Sequence, residues 1–130
     1  MIALLTIHSI NRWIILLIAV VVLVRLIAEA TRSRPFAPAD LTWLRIYTAD
    51  LGLQVVLGLI YLVWSGMNGV GFPGYRMEHV VIMLLAVAAG GVAQVQVKRG
   101  GRAALPLGAM IVSLVLIVTG VSLLPGGWRR

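Results

Sequence analysis

Four long apolar stretches follow one another along the chain, separated by short polar or glycine-rich links. They cover about residues 2–28, 41–64, 77–97 and 103–124. A helix that crosses a membrane needs about 20 mostly apolar residues, and each stretch reaches that length. We therefore predict an all-α fold, an integral membrane antiparallel four-helix bundle, with residues 1–130 forming a single domain.

The links contain residues that interrupt helices. Pro35 and Pro38 in the first link prevent a helix from continuing through it, and Asp40 is placed to cap the second helix. The second link, residues 65–75, is rich in glycine, and the third contains Gly100-Gly101. Short links join antiparallel neighbours, so the first and third helices should run parallel and face each other diagonally across the core.

The composition is typical of a protein that is embedded in lipid. The chain is 61% hydrophobic and 12% charged, whereas soluble domains are about one quarter charged. It contains no cysteine, which excludes disulfides, thiolate metal sites, iron–sulfur clusters and covalently attached c-type haem. The net charge of +7 does not indicate a nucleic acid partner, because the basic residues lie at the ends of apolar stretches and are not interleaved with aromatic ones.

The distribution of basic residues predicts the orientation in the membrane. Seven lie in or beside the first and third links: Arg25, Arg32, Arg34, Arg45, Lys98, Arg99 and Arg102. Three lie on the opposite side: Arg76, Arg129 and Arg130. Because Lys and Arg are enriched in cytoplasmic loops, we expect these two links in the cytoplasm and both termini on the outer, periplasmic side.

The two histidines of the chain lie inside the first and third apolar stretches. His8 is 17 residues from Arg25, and His79 is 19 residues from Lys98, which corresponds to about 25 and about 28 Å along a helix. The imidazoles should therefore lie at similar depth, near the outer face. Two such histidines on facing helices can hold a haem by both axial positions, so we predict His8 and His79 as the iron ligands of one haem b.

Three neighbouring residues suit the same cofactor. Arg12 lies one turn from His8, and Arg76 lies about one turn from His79, so each could bind a haem propionate. Gly58 would allow the second helix to approach a porphyrin closely. The predicted cofactor site therefore comprises His8, Arg12, Gly58, Arg76 and His79.

Other interpretations of these polar residues remain open. Histidines near a membrane interface often only form hydrogen bonds. Arg12 could instead pair with Glu78 or Asp50, while Glu78 could orient His79 or Arg76. Asp50 and Gln54 share one helix face, where they could hydrogen-bond between helices or line a path for protons or a quinone.

Four segments resemble a small bacterial family of four-span membrane proteins labelled cytochrome b-like or uncharacterised. These are residues 8–13 (HSINRW), 34–36 (RPF), 53–59 (LQVVLGL) and 78–84 (EHVVIML). The resemblance implies a multi-pass protein of the bacterial inner membrane, with His8 and His79 at the matching positions. Some relatives have a further histidine in the third helix, but residues 88–91 here are AAGG, so no second bis-histidine site is expected.

These observations predict a membrane b-type cytochrome-like subunit. It would transfer electrons between a quinol and an outer acceptor, with other membrane subunits or a redox partner beside it. The alternative is a cofactor-free accessory subunit of a larger respiratory or photosynthetic complex. Pigment binding and transport are weaker candidates, and the absence of a hydrolytic constellation favours an electron-transfer or accessory role over a stand-alone enzyme.

Overall fold

Four long helices form the chain in the computed structural model, which describes residues 2–129. Helix α1 covers Ile2–Arg32, α2 Pro38–Ser65, α3 Gly74–Lys98 and α4 Ala104–Ser122. A π-helical turn, Gly66–Val70, follows α2, and a 3₁₀ turn, Gly127–Arg129, ends the described chain. The predicted all-α, four-helix fold is confirmed. Met1 of the predicted domain and Arg130 of the predicted charge pattern lie outside the described residues.

Each helix is long and apolar enough to cross a membrane. The first three predicted stretches lie within α1, α2 and α3, which extend beyond them at one or both ends. Helix α4 ends at Ser122, two residues before the predicted boundary, because the chain turns there. Side chains such as Leu17, Val56 and Val115 are more than half exposed, and lipid is the surrounding that accommodates an apolar surface of this kind.

The helices pack as an antiparallel bundle in which sequence neighbours are also neighbours in space. Helix α1 packs against α2 and α4, and α3 also packs against α2 and α4. Helices α1 and α3 are therefore diagonal, as the short links predict. We call the end of the bundle with both described chain ends the termini end, and the end with the links around residues 33–37 and 99–103 the basic end.

Buried positions recur every three or four residues and form one core seam through the bundle. In α1 they are Arg12, Ile15, Ala19, Val22 and Leu26, and in α3 they are Arg76, Met83, Ala86, Gly90, Ala93 and Val97. This spacing is the one that packs helices at a small crossing angle. The seam is mostly apolar toward the basic end and polar toward the termini end, where a cavity replaces close packing.

Between the cavity and the basic end, hydrogen bonds fix the register of α2, α3 and α4. The hydroxyls of Tyr47 and Ser113 are 2.7 Å apart, and Ser113 also donates to the carbonyl of Ala86 at 2.8 Å. Gly90 makes room for the Tyr47 ring, because a Cβ there would lie 3.1 Å from its Cε1 atom. These contacts join α2, α3 and α4.

Asp40 connects the first two helices at the basic end. One of its carboxylate oxygens accepts the backbone N–H of Ala37 at 2.7 Å, which caps α2. The other accepts Nε of Arg25 at 2.8 Å, so the two side chains form an ion pair. Asp40 therefore caps α2 from the third position of the helix, because α2 begins at Pro38 and not at the predicted Leu41, and it also ties α1 to α2.

Candidate functional site

A cavity of about 200 Å³ lies between the four helices at the termini end. All five predicted site residues line it: His8, Arg12, Gly58, Arg76 and His79. Most of its remaining wall is apolar and includes Ile15, Leu51, Val55, Met83, Ile117 and Val121. The structure thus places the polar residues of α1, α2 and α3 around one space.

The imidazole of His79 is held by the backbone of α4. Its Nδ1 lies 2.7 Å from the carbonyl oxygen of Gly120. A carbonyl can only accept a hydrogen bond, so Nδ1 carries the proton and Nε2 of the neutral ring keeps its lone pair. A Cβ at Gly120 would lie 3.5 Å from Nδ1 of His79, an ordinary contact distance, and would overlap the methyl group of Met83. The tautomer that a metal ligand needs is therefore fixed by the fold.

The imidazole of His8 is held by packing. It rests on Gly58, where an added Cβ would lie 3.0 Å from its Cε1 atom. The His8 carbonyl accepts Nε2 of Gln54 at 2.8 Å, which ties this turn of α1 to α2. Nδ1 of His8 is buried and has no hydrogen-bond partner within residues 2–129. The two imidazoles thus differ, since among the described residues 2–129 an acceptor for a ring N–H is found for His79 and not for His8.

Arg12 joins α1 to the segment that follows α4. Its Nη1 donates to the carbonyl of Gly127 at 3.2 Å. Its guanidinium carbon lies 5.4 Å from the ring centroid of Trp13 and 5.2 Å from that of Trp128, within the range of cation–π attraction. The alternative pairing with Glu78 or Asp50 is not observed among the ion pairs of residues 2–129.

Arg76 closes the cavity on the side of α2. It donates to the carbonyl of Gly71 at 3.0 Å and to the hydroxyl of Ser65, and it lies 5.6 Å from the ring centroid of Tyr61. Its side chain is buried, with 8% exposure. These contacts anchor the turn after α2 to the first turn of α3.

The expectation that Glu78 orients His79 or Arg76 is wrong. Glu78 is exposed, His79 bonds to Gly120, and Arg76 bonds to Ser65 and Gly71. The reason is helical geometry, because residues one or two positions apart on a helix do not face each other.

Asp50 and Gln54 form hydrogen bonds between helices. Nδ2 of Asn11 donates to Oδ1 of Asp50 at 3.0 Å and to Oε1 of Gln54 at 3.1 Å. Gln54 in turn donates to the carbonyl of His8. This network links α1 to α2 directly below His8 and helps to set the position of that turn.

The charges around the cavity all have one sign. Its lining contains the guanidinium groups of Arg12 and Arg76 and no carboxylate, so the space favours an anionic group. Within residues 2–129, no cluster of three or more His, Cys, Asp or Glu side chains could hold a metal ion by itself. A metal between His8 and His79 would therefore need ligands from another source, such as a porphyrin.

Two contributors to the site were not predicted from the sequence. The acceptor for His79 is a backbone carbonyl, which every residue carries, and only the small size of Gly120 marks the position. Ser65 resembled a turn residue, although it binds Arg76. Asn11 differs, because its amide lies in an apolar helix and needs a polar partner there, which Asp50 and Gln54 provide.

Comparison of the chain with known protein families, with curated protein sequences and with solved structures finds no match.

Proposed function

We propose that the chain is a membrane b-type cytochrome-like subunit in which His8 and His79 hold one haem b. The observation that carries the proposal is the meeting of two histidines from the diagonal helices α1 and α3 at one cavity. When bound, the haem supplies reversible one-electron transfer. Two imidazole ligands leave no open position on the iron, which suits electron transfer better than oxygen chemistry.

The hydrogen bond of His79 supports its role as a ligand. Metal-bound histidines usually donate their second ring N–H to an acceptor, and Nδ1 of His79 does so to Gly120. Nδ1 of His8 has no such acceptor within the described part of the chain, and its ring is positioned by Gly58 and by the bond between its backbone and Gln54. We therefore expect the His8 ligand to be the weaker of the two.

Arg12 and Arg76 support an anionic cofactor. Both side chains are buried at 8% exposure and both line the cavity, and burying a cation is costly unless an anion or strong acceptors lie nearby. The two propionates of a haem are anions that a guanidinium binds well. In this role Arg12 and Arg76 orient the cofactor at the termini end.

We infer that the chain spans the bacterial inner membrane four times, with the termini end on the outer side. Four helices of membrane-spanning length support the spans, and the excess of Lys and Arg at the basic end supports the orientation. The bacterial membrane itself follows from the family resemblance. The haem would then lie near the outer face and transfer electrons between a quinol and an outer acceptor or a neighbouring subunit.

A difference spectrum tests the proposal directly. The full chain is purified in detergent, and its dithionite-reduced spectrum is compared with its oxidised spectrum. We expect a sharp α-band that is lost in His8→Ala and in His79→Ala and retained in Thr31→Ala, an exposed residue at the basic end. A colourless protein with full helix content would overturn the proposal and favour the cofactor-free accessory subunit.

A further inference from the structure

Helices α2 and α3 are joined by a polar contact in the half of the bundle nearer the basic end. The Thr48 hydroxyl of α2 donates to Oε1 of Gln94 in α3 at 2.6 Å. Gly90 of α3 allows the two helices to approach here, because a Cβ there would lie 3.4 Å from the Thr48 methyl group. The contact bridges the groove between α2 and α3 and gives the two helices a common level.

An exposed cation follows this contact on each helix, in the direction of the basic end. Arg45 lies three residues before Thr48 in α2, and Lys98 lies four residues after Gln94 in α3. Residues three or four apart share a helix face, and these spacings correspond to about 4.5 and about 6 Å along the axis. Arg45 and Lys98 therefore lie at nearly the same depth on the two sides of the groove.

No carboxylate compensates these two cations. The chain has four acidic residues, and all lie elsewhere. Asp40 and Asp50 bond to side chains of α1. Glu29 belongs to α1, and Glu78 lies at the termini end. Neither cation of the groove forms an ion pair within residues 2–129, and the charged residues of the third link are further cations. This end of the groove therefore attracts an anion.

The Gln94 side chain also offers hydrogen-bond donors in the groove. Its Oε1 accepts the Thr48 hydroxyl. Its Nε2 donates to no residue of the described range 2–129 and is not fully buried. An amide N–H that faces hydrocarbon is costly unless an acceptor lies nearby. The ester carbonyls of a phospholipid are such acceptors, and they lie just inside the level of its phosphate group.

Toward the middle of the membrane the groove is apolar and open. Gly91 lies three residues before Gln94, and a Cβ there would meet no atom within 4 Å. Leu84, two turns further on the same face of α3, is 49% exposed. The groove thus offers apolar surface for an acyl chain on the inner side of the two cations.

We propose that the groove between α2 and α3 at the basic end binds an anionic phospholipid. Arg45 and Lys98 bind its phosphate group from two sides. Nε2 of Gln94 donates to an ester carbonyl, and an acyl chain lies along Gly91. Two cations favour a headgroup with a net negative charge over a zwitterionic one, whose own cation they repel. The site requires the membrane spans, but it requires neither the haem nor a particular direction of the bundle.

Native mass spectrometry of the full chain tests the site. The protein is kept in a neutral detergent at about 0.15 M salt, where the Debye length is about 8 Å. It is titrated with dioleoylphosphatidylglycerol or with dioleoylphosphatidylcholine. We expect tighter binding of phosphatidylglycerol to the unmodified chain, and about fivefold weaker binding of this lipid to Arg45→Gln and to Lys98→Gln.

Arg34→Gln is the matched control. Arg34 is an exposed cation of the same end, but its link joins α2 to α1 and not to α3. The variant therefore has the same net charge as Arg45→Gln while the groove is unchanged. Its affinity for phosphatidylglycerol should equal that of the unmodified chain.

Gly91→Leu tests the position of the acyl chain separately from the charges. The new side chain enters open space, so the fold should be retained, and it occupies the place proposed for the acyl chain. We expect weaker binding of phosphatidylglycerol, and unchanged binding would contradict this position. Inorganic phosphate added to the titration should not displace the lipid, because it has no acyl chain. Displacement would indicate a site for a free anion and overturn the lipid assignment.

Equal affinities for the two lipids, or equal losses in Arg34→Gln and Arg45→Gln, would overturn the inference. Equal losses would mean that the positive charge of the whole end attracts the lipid without a site in the groove. The difference spectrum of each sample separates this failure from that of the proposed function. A haem α-band without a lipid preference overturns only the groove. A colourless protein that binds phosphatidylglycerol through Arg45 and Lys98 supports the groove and overturns only the haem proposal.

Discussion

At the scale of single residues, Gly58 determines how closely the His8 ring approaches α2. An added Cβ at Gly58 would lie 3.0 Å from Cε1 of His8, whereas one at Gly120 would lie 3.5 Å from Nδ1 of His79, an ordinary contact distance. By contrast, Gly52 on the same helix as Gly58 has no atom within 4 Å of the position of an added Cβ. The same residue type therefore has a steric role at one position of α2 and none at another.

Gly58→Ala is expected to displace the His8 imidazole. The new methyl group would lie 3.0 Å from Cε1 of His8, which is too close for an unchanged ring position. We expect a lower haem content or a shifted α-band, while the helix itself gains up to about 1 kcal/mol in intrinsic propensity. Gly52→Ala gains the same propensity without the contact. Identical spectra for the two variants would contradict a steric role for Gly58.

Tyr47→Phe is expected to weaken the packing of α2 against α4. The change removes the hydrogen bond to Ser113 but leaves Ser113 bonded to the Ala86 carbonyl. The free energy of unfolding should fall by about 1 kcal/mol, the usual net value of one such bond. Reversible unfolding in mixed detergent micelles measures it. Tyr75→Phe, at a residue that is 38% exposed, is the control and should leave the free energy of unfolding unchanged.

At the scale of elements, the apolar stretches predict the helices well because helix length and hydrophobicity are local properties of the sequence. The predicted diagonal placement of α1 and α3 follows from short links, which restrict the possible topologies. The carbonyl that holds His79 depends instead on how closely α3 approaches α4. The position of residues 123–129 likewise depends on contacts with α1, and no local pattern in the sequence specifies either arrangement.

Trp128→Ala is expected to release the segment after α4 without unfolding the helices. The change removes the contact with Trp13, the cation–π contact with Arg12 and the indole bond to the Ser122 hydroxyl. Hydrogen exchange at the amide of Gly127, which donates to the Leu124 carbonyl, should become faster by about tenfold or more, as expected for the loss of more than about 1.4 kcal/mol.

Exchange in the centre of α4 should remain slow in the same Trp128→Ala sample. Trp64→Ala serves as the comparison, since Trp64 is 45% exposed and forms no ring contact within residues 2–129. Equal exchange of the Gly127 amide in both variants would show that the Trp128 contacts do not hold the segment.

At the scale of the whole molecule, the two ends of the bundle differ in charge and in polarity of the core. The basic end has six exposed cations, namely Arg32, Arg34, Arg45, Lys98, Arg99 and Arg102, above an apolar core. The termini end has the polar cavity. This separation was visible in the sequence because the charges lie at helix ends and the histidines lie near the opposite ends. The direction of the bundle in the membrane follows only from the positive charges.

Cysteine labelling in intact spheroplasts tests that direction. The chain has no cysteine of its own, so single variants need no background removed. Asn68→Cys places an exposed thiol at the termini end, and Ala39→Cys places one at the basic end. A membrane-impermeant maleimide should label Asn68→Cys in intact spheroplasts and Ala39→Cys only after lysis, because the positive links should remain in the cytoplasm. The reverse pattern would place the cavity, and any haem held by His8 and His79, at the cytoplasmic face.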